Sequence, residues 1–259
     1  MSCGEREELS IDEATLYRYS RQTVFEKMGI GNQKKLFNAH AVIIGLGALG
    51  SVISNNLCRA GVGRLRLIDQ DYVDISNLPR QLLFNEADAE AKRSKAEATY
   101  DHLSKINSKT ILEPVNIHVD SSNIEGLIKD ADIVLDGSDN MEVRFIINEA
   151  CCMHNIPWVF GGVLGSGGNS MTIIPGETPC LRCFMPVIPP PGTFPTCATA
   201  GVLNMITGMI ASLESAEAIK ILTGSRDINR RIFVLDIWNN SAEYLELSRD
   251  PECPACGRG

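Results

Sequence analysis

Residues 41–81 read AVIIGLGALGSVISNNLCRAGVGRLRLIDQDYVDISNLPRQ. Four apolar residues, 41–44, lead into Gly45, Gly47 and Gly50 in G-x-G-x-x-G register, with Ala48 between them, and a helical pattern follows through Ala60. This is a strand, a tight turn and a helix. Glycine allows the turn and lets a phosphate approach the backbone, and the helix start offers unpaired N–H groups and a positive dipole end to an anion. A second apolar strand over 64–68 runs into Asp69, 24 positions beyond Gly45, where a carboxylate meets a ribose hydroxyl. The stretch predicts a nucleotide site. A glycine-rich packing turn is the plain alternative, and the acid at the next strand end weighs against it.

The residues after Asp69 bear on which nucleotide. The chain continues through Asp71, Ser76, Asn77, Leu78, Pro79, Arg80 and Gln81, a polar cluster holding a cation just past a strand end, where open α/β sheets bind ligands. The planar fork of Arg80 suits phosphate oxygens, whereas hydride transfer builds no charge on a phosphate for it to offset. The cluster favours ATP over NAD.

Around this stretch the chain alternates strand and helix patterns. A helix is expected over 11–28, with Arg18-Tyr-Ser-Arg21-Gln22 inside it, whose arginines read equally as a solvated face. Residues 37–41 should lead into the first strand, and one amphipathic helix is expected over 86–106, carrying Lys92, Arg93 and Lys95. Strands over 111–115 and 132–135 follow, the second ending in Asp136-Gly-Ser-Asp139-Asn140. Asp139 there faces the edge of the glycine turn and is also a candidate N-cap for a helix over 141–153. A strand over 156–160 empties into Gly161, Gly162, Gly165, Gly167 and Gly168, which leave room for a close ligand.

Beyond that the rhythm stops. Residues 171–174 read as an antiparallel strand, and 186–195 (PVIPPPGTFP) as a semi-stiff loop that excludes helix and central strand. The loop delivers Thr196-Cys197-Ala-Thr-Ala-Gly201 to the start of a long helix over 202–222, whose N-terminal dipole would favour a Cys197 thiolate. A hairpin over 232–235 and 243–247 closes the pattern.

Nine cysteines, an odd number, argue against a disulfide framework. Cys180-Leu-Arg-Cys183 and Cys253-Pro-Ala-Cys256 are two C-x-x-C pairs that together supply four thiolates for a tetrahedral structural zinc. With Cys183 and Cys253 70 positions apart, the metal would staple the C-terminal tail to the middle of the chain. Cys3, Cys58, Cys151 and Cys152 fall in apolar helical settings or at the terminus and are expected to be inert. The four histidines show no ligand or hydrolase spacing.

Composition sets the outer bounds. The 259 residues suffice for one large α/β domain. No stretch approaches the roughly 20 apolar residues of a membrane span, and the polar start MSCGEREELS is unlike a secretory or transit signal, so a cytoplasmic protein is expected. A net charge of −8 without a dense Lys/Arg run argues against nucleic-acid binding.

Taken together, Arg18 to Gln22, the Gly45 turn, Asp69 with Ser76 to Gln81, Asp136 to Asn140, the two C-x-x-C pairs and Thr196-Cys197 resemble the ThiF/MoeB/HesA family, relatives of ubiquitin-activating enzymes. The resemblance runs from about Tyr17 to Gly257. It implies a homodimer that uses ATP to adenylate the C-terminal glycine of a ubiquitin-like sulfur carrier protein ending in Gly-Gly, preparing it to become a thiocarboxylate. The sulfur would come from a separate sulfurtransferase or cysteine desulfurase. By motif, Asp69 would hold the ribose, Arg80 and Lys95 the phosphates and Asp139 a magnesium ion, with Arg21 reaching into the partner subunit's site. Cys197 matches a cysteine that some members use for a covalent intermediate. The spacing from Gln81 leaves Lys92 open as the phosphate lysine in place of Lys95.

These readings give one doubly wound, mostly parallel α/β sheet with an antiparallel extension and a four-cysteine zinc staple. Residues 11–30 form an N-terminal helix, 40–165 the nucleotide-binding part (Gly45, Gly47, Ala48, Gly50, Asp69, Asp71, Ser76, Asn77, Arg80, Gln81, Lys95, Asp139, Asn140), and 166–259 the carrier-binding and zinc part. An NAD-dependent oxidoreductase leaves Arg80, Asp139 and the zinc tail without a role. A non-catalytic scaffold would keep the fold and lose the chemistry.

Overall fold

The computed structural model describes residues 11–257 apart from Pro191 and Phe194; Cys3 lies outside the described residues. Its centre is an eight-stranded sheet in the order β3-β2-β1-β4-β5-β6-β7-β8. The strands are β1 (His40–Ile44), β2 (Arg64–Ile68), β3 (Ile111–Val115), β4 (Ile133–Asp136), β5 (Trp158–Leu164), β6 (Gly167–Ile173), β7 (Ile232–Asp236) and β8 (Ser241–Leu245). The first five are parallel, and β6 to β8 extend them antiparallel. β1 and β4 are wholly buried, as their continuous apolar runs require of strands covered on both faces. Pro114 sits in β3, an edge strand, where a missing N–H costs no ladder bond on the open side.

Two apolar layers cover the sheet. On one face, helices Gly29–Asn38, Ala48–Ala60, Lys95–Ile106 and Asn204–Thr223 contribute to a core around Ile43, Ile53, Leu65 and Ile210. On the other, helices Ile124–Ile128 and Met141–His154 and the paired-cysteine segment pack around Val42, Val134, Phe145 and Trp158. Burial on two faces is the doubly wound arrangement expected from the strand and helix alternation. Among the described residues no helix is long and apolar enough to cross a membrane.

Four expectations need correction. The helix expected over 11–28 is broken into Glu13–Arg18 and Ser20–Thr23, and the lead-in to β1 is instead helix Gly29–Asn38. The break falls at Tyr19, which is 3% exposed and whose hydroxyl accepts a bond from Asn107 Nδ2 (2.9 Å). The ring packs so tightly on Gly61 that a β-carbon there would lie 2.5 Å from it. Gln22 donates to Ala60 O (2.9 Å), so Tyr19 and Gln22 fasten this segment to the end of helix Ala48–Ala60. The solvated-face reading holds only for the arginines.

The helix expected over 86–106 is likewise two, Glu86–Glu90 and Lys95–Ile106, separated by Lys92 at φ 45°. Backbone bonds from Val73 N to Arg93 O (2.8 Å) and Lys95 N to Asp71 O (2.9 Å) pull the intervening turn onto the segment after β2. Asp139 does not cap the next helix; Asn140 does, its Oδ1 accepting from Glu142 N at 2.8 Å. Finally, Cys197 does not start the long helix. It opens a separate four-residue turn, Cys197–Ala200, ended by Gly201 at φ 73°. Gly165 then exchanges backbone bonds with Gly201 and Leu203 (2.9 and 2.8 Å) before helix Asn204–Thr223 begins. The dipole argument for a Cys197 thiolate therefore fails, because a single turn sums too few peptide dipoles.

Candidate active site

β1 leaves the sheet between β2 and β4, and the chain reverses direction of growth there, so a crevice forms beyond its carboxyl end. Gly45 lies at φ 88°, and its N–H donates to Ile68 O at 2.8 Å. A β-carbon on Gly45 would meet Gly137 at 2.6 Å, and one on Gly50 would meet Gly45 O at 1.8 Å. The glycines thus serve close backbone packing as well as ligand approach. Gly47 and Ala48 open helix Ala48–Ala60, and no side chain caps its start. Its first N–H groups face the crevice without an internal partner.

Asp69 is placed by the end of β2. Its Oδ2 accepts from Leu46 N (2.7 Å) and its Oδ1 from Asp71 N (2.8 Å), so it ties the glycine turn to the next loop. Burial raises its pKa above the ordinary carboxylate value, against the Lys95 charge and the two backbone N–H groups, which lower it. Lys95 is nearly buried, and its ammonium donates to Asp71 Oδ2 at 2.9 Å. The helix break at Lys92 brings Lys95 to this loop and leaves Lys92 exposed.

Gln81 is also buried, with its Nε2 side 3.6 Å from where a Gly47 β-carbon would stand and its Oε1 without a hydrogen-bond partner. An orphaned acceptor beside the glycine turn fits a site completed by a bound donor. Asp74 caps the turn Ile75–Asn77, whose Ser76 O accepts from the half-buried Arg80 guanidinium (2.9 Å). Asp139 is exposed at the crevice mouth, three residues past β4. Arg21 is exposed on its short helix.

Sequence reasoning missed a charged layer directly beneath. Asp136, fully buried, accepts from Arg144 Nε (2.9 Å) and from Ser138 N and Oγ (2.9 and 2.6 Å). Arg144 also donates to Ser138 O (2.8 Å) and Gly161 O (2.9 Å) and stacks over Phe160. Arg144 therefore locks the loop carrying Asp139 to β5. Glu214, on the long helix, is 0% exposed with neither carboxyl oxygen hydrogen-bonded, and a β-carbon on Gly161 would stand 2.0 Å from its Oε1. Burial, then the nearby Asp136 charge, pushes its pKa well above the usual range, against the opposing pull of Arg144. A signal existed in Asp136 at a strand end with an arginine eight positions on; nothing local marked Glu214.

Away from the crevice, the Sγ atoms of Cys180, Cys183, Cys253 and Cys256 lie within 4.8 Å of one another. The pairs 180–253 and 183–256 stand at 3.6 and 3.4 Å, and 180–183 at 4.0 Å. Four thiolates about 2.3 Å from a tetrahedral zinc are about 3.8 Å apart, so the cluster has the dimensions of such a site. Asn148 Nδ2 and Asp250 N donate to Cys180 and Cys183 sulfur (3.7 and 3.4 Å). Cys197 is half-buried, its Sγ 3.8 Å from Val163 O.

The model of the ThiF family matches residues 19–255. A sulfur carrier protein ThiS adenylyltransferase from Bacillus subtilis is 40% identical over 93% of this chain and 71% of its own length. A SAMP-activating enzyme E1 from Haloferax volcanii is 34% identical over 97% of this chain and 92% of its own. Among solved structures, E. coli MccB with ATP superposes with a TM-score of 0.81 at 25% identity, over 93% of this chain and 74% of that one.

Proposed function

Because the chain belongs to the ThiF family, matched over residues 19–255, we propose that it transfers AMP from ATP to the C-terminal glycine of a ubiquitin-like sulfur carrier protein. The reading rests above all on the glycine turn, Asp69 and Lys95 converging beyond β1 and β2, in a chain 40% identical to an adenylyltransferase of such a carrier. A carboxylate is a poor electrophile, and adenylation converts it to a mixed anhydride that sulfur can attack.

In this proposal Gly45, Gly47, Ala48 and Gly50 cradle the phosphates at the helix start, and Asp69 and Asp71 with Ser76, Asn77 and Gln81 hold the nucleoside. Attack by the carrier carboxylate on the α-phosphorus displaces pyrophosphate. Arg80 and Lys95 offset the charge that builds on the phosphoryl oxygens. Lys95 would exchange its contact with Asp71 for the phosphate. Asp139, exposed at the crevice mouth beside Asn140, would hold magnesium, which neutralises phosphate charge when bound. Arg21 would serve the partner subunit's site in a homodimer. Cys180, Cys183, Cys253 and Cys256 would hold a structural zinc, and residues 166–259 would bind the carrier. A separate sulfurtransferase or cysteine desulfurase would provide sulfur, and a cytoplasmic location belongs to the same reading.

The test is carrier-dependent ATP–pyrophosphate exchange with a purified carrier ending in Gly-Gly. Arg80→Ala and Asp139→Ala should each lower exchange by about 10²-fold, the size of losing one charge-stabilising group. Wild-type rates in both variants, with the fold intact, would remove the assignment.

A further inference from the structure

Glu214 is a buried acid to which the adenylation chemistry gives no role, and the strand beneath it decides what it touches. Residues of a strand face alternate sides of the sheet, so Phe160 and Gly161, midway along β5, look in opposite directions. On one face the Arg144 guanidinium lies over the Phe160 ring. On the other, Glu214 fills the place that a side chain at Gly161 would take: a β-carbon there would stand 2.0 Å from Oε1, 2.5 Å from Cδ and 3.0 Å from Oε2. The carboxyl group rests directly on strand backbone. The carbonyl of the same glycine accepts from Arg144 Nη2 at 2.9 Å, and that nitrogen also donates to Ser138 O at 2.8 Å, one residue before Asp139. Gly161 thus carries the acid on one side and the clamp of the Asp139 loop on the other.

Such a carboxyl is held neutral. It is 0% exposed and among the described residues neither oxygen has a hydrogen-bond partner, so ionisation would leave a bare charge in the core. Helix Asn204–Thr223 packs on β4, β5, β6 and helices Gly29–Asn38 and Ala48–Ala60. β5 and β6 carry no ionisable side chain. Helix Ala48–Ala60 meets the long helix through Asn56 and Ser215, with its Arg59 bonded to Asn55 and its Cys58 to Leu103 O. Lys34 of helix Gly29–Asn38 is exposed, and Lys35 reaches Thr223 O at the end of the long helix. On that helix itself Glu217 is paired with Lys220. The charges that bear on Glu214 are Asp136, which opposes its ionisation, and Arg144, which favours it.

We propose that Glu214 is a positioning residue for adenylation that works only as the neutral acid: resting on Gly161, it keeps β5 where the Gly161 carbonyl accepts from Arg144, and loss of its proton to solvent frees the loop carrying Asp139. The inference rests on the adenylation reading and on Asp139 as part of that site. An ionised Glu214 needs water or a donor at its oxygens, and Gly161 has no side chain that could move aside to admit one, so the helix and β5 have to part. Parting draws the Gly161 carbonyl away from Arg144, which then holds Ser138 without its anchor on the strand. The clamp is complete while Glu214 keeps its proton and is lost as pH rises through the folded pKa.

The experiment uses the full chain, with Glu214→Gln and Glu214→Leu as two neutral replacements of similar size. Amide hydrogen exchange of segments 137–146 and 158–164, read by mass spectrometry and compared between proteins at each pH from neutral to strongly alkaline, reports the clamp without any carrier. Wild-type protection of these segments should fall, relative to either variant, by about tenfold for each pH unit above the folded pKa of Glu214. Carrier-dependent pyrophosphate exchange should fail over the same range in the wild type, and Glu214→Gln should keep its activity there. Equal protection profiles in the wild type and in whichever variant folds, or one alkaline limit of activity common to wild type and variant, would overturn the proposal while leaving the adenylation reading standing. Pyrophosphate exchange absent from every protein at every pH would remove the adenylation reading and the positioning role with it, and the protection profiles would then decide the clamp alone.

Discussion

Lys95 is bound twice to one residue: its backbone N–H donates to Asp71 O and its ammonium to Asp71 Oδ2, both at 2.9 Å. The double contact anchors the start of helix Lys95–Ile106 on the loop that follows Asp69. It also holds a nearly buried cation on the loop after Asp69, whereas Lys92 is exposed. The first prediction follows from this difference. Lys95→Ala should lower pyrophosphate exchange by about 10²-fold, whereas Lys92→Ala should stay within about twofold of wild type. The reverse ranking would return the phosphate role to Lys92.

Glu214 predicts a pH dependence. Its folded pKa lies well above the ordinary glutamate value because it is buried without hydrogen bonds and near Asp136. Between about 4.5 and the raised folded value, the folded state keeps a proton that the unfolded chain has lost. Stability from this group is therefore fully present below the unfolded pKa and is lost as pH rises through the folded one. Glu214→Gln removes the titration, so the variant should gain on the wild type steadily from about pH 5 upward in chemical denaturation. A stability difference that does not change with pH would show that Glu214 is not held protonated.

The dimer prediction concerns Arg21, exposed on a segment whose Tyr19 and Gln22 are fastened to the far end of helix Ala48–Ala60 from the glycine turn. If the arginine acts in trans, mixing inactive Arg21→Ala and Asp139→Ala proteins after subunit exchange should restore about a quarter of wild-type exchange, because one site per hybrid regains both residues. No recovery after proven exchange, or a monomer by sedimentation, would count against it.

Cys197 separates two steps. Half-buried on a one-turn helix beside Val163, it lies outside the cluster of four cysteines. Cys197→Ser should form the acyl-adenylate normally and fail in thiocarboxylate formation, read by mass spectrometry of the carrier. Full thiocarboxylate with the variant would mean that sulfur reaches the adenylate without this residue.

Much of the architecture was legible because its signals are local. An apolar run, three glycines at fixed offsets and an acid at the next strand end define strand, turn, helix and strand within the 29 residues 41–69, and β1, β2 and helix Ala48–Ala60 match that reading. The two C-x-x-C pairs announced a four-sulfur cluster for the same reason: chemistry restricts what such spacing can do. Helix boundaries were less legible where a distant contact competed with periodicity. Tyr19 breaks its helix because Gly61 and Asn107 receive it, and Lys92 turns because the loop after β2 supplies backbone partners.

The sequence by itself determined the doubly wound α/β class, the glycine turn and the four-cysteine cluster, since each depends on residues whose covalent geometry or ligand chemistry leaves few alternatives. Only the tertiary structure decided which lysine pairs with Asp71, that Asn140 and not Asp139 caps its helix, and that Cys197 stands apart from the long helix. It alone brought Glu214 under the Asp136–Arg144 pair. These relationships join residues far apart in the chain, and the burial and electrostatic field that give them meaning exist only once the sheet has closed its two faces.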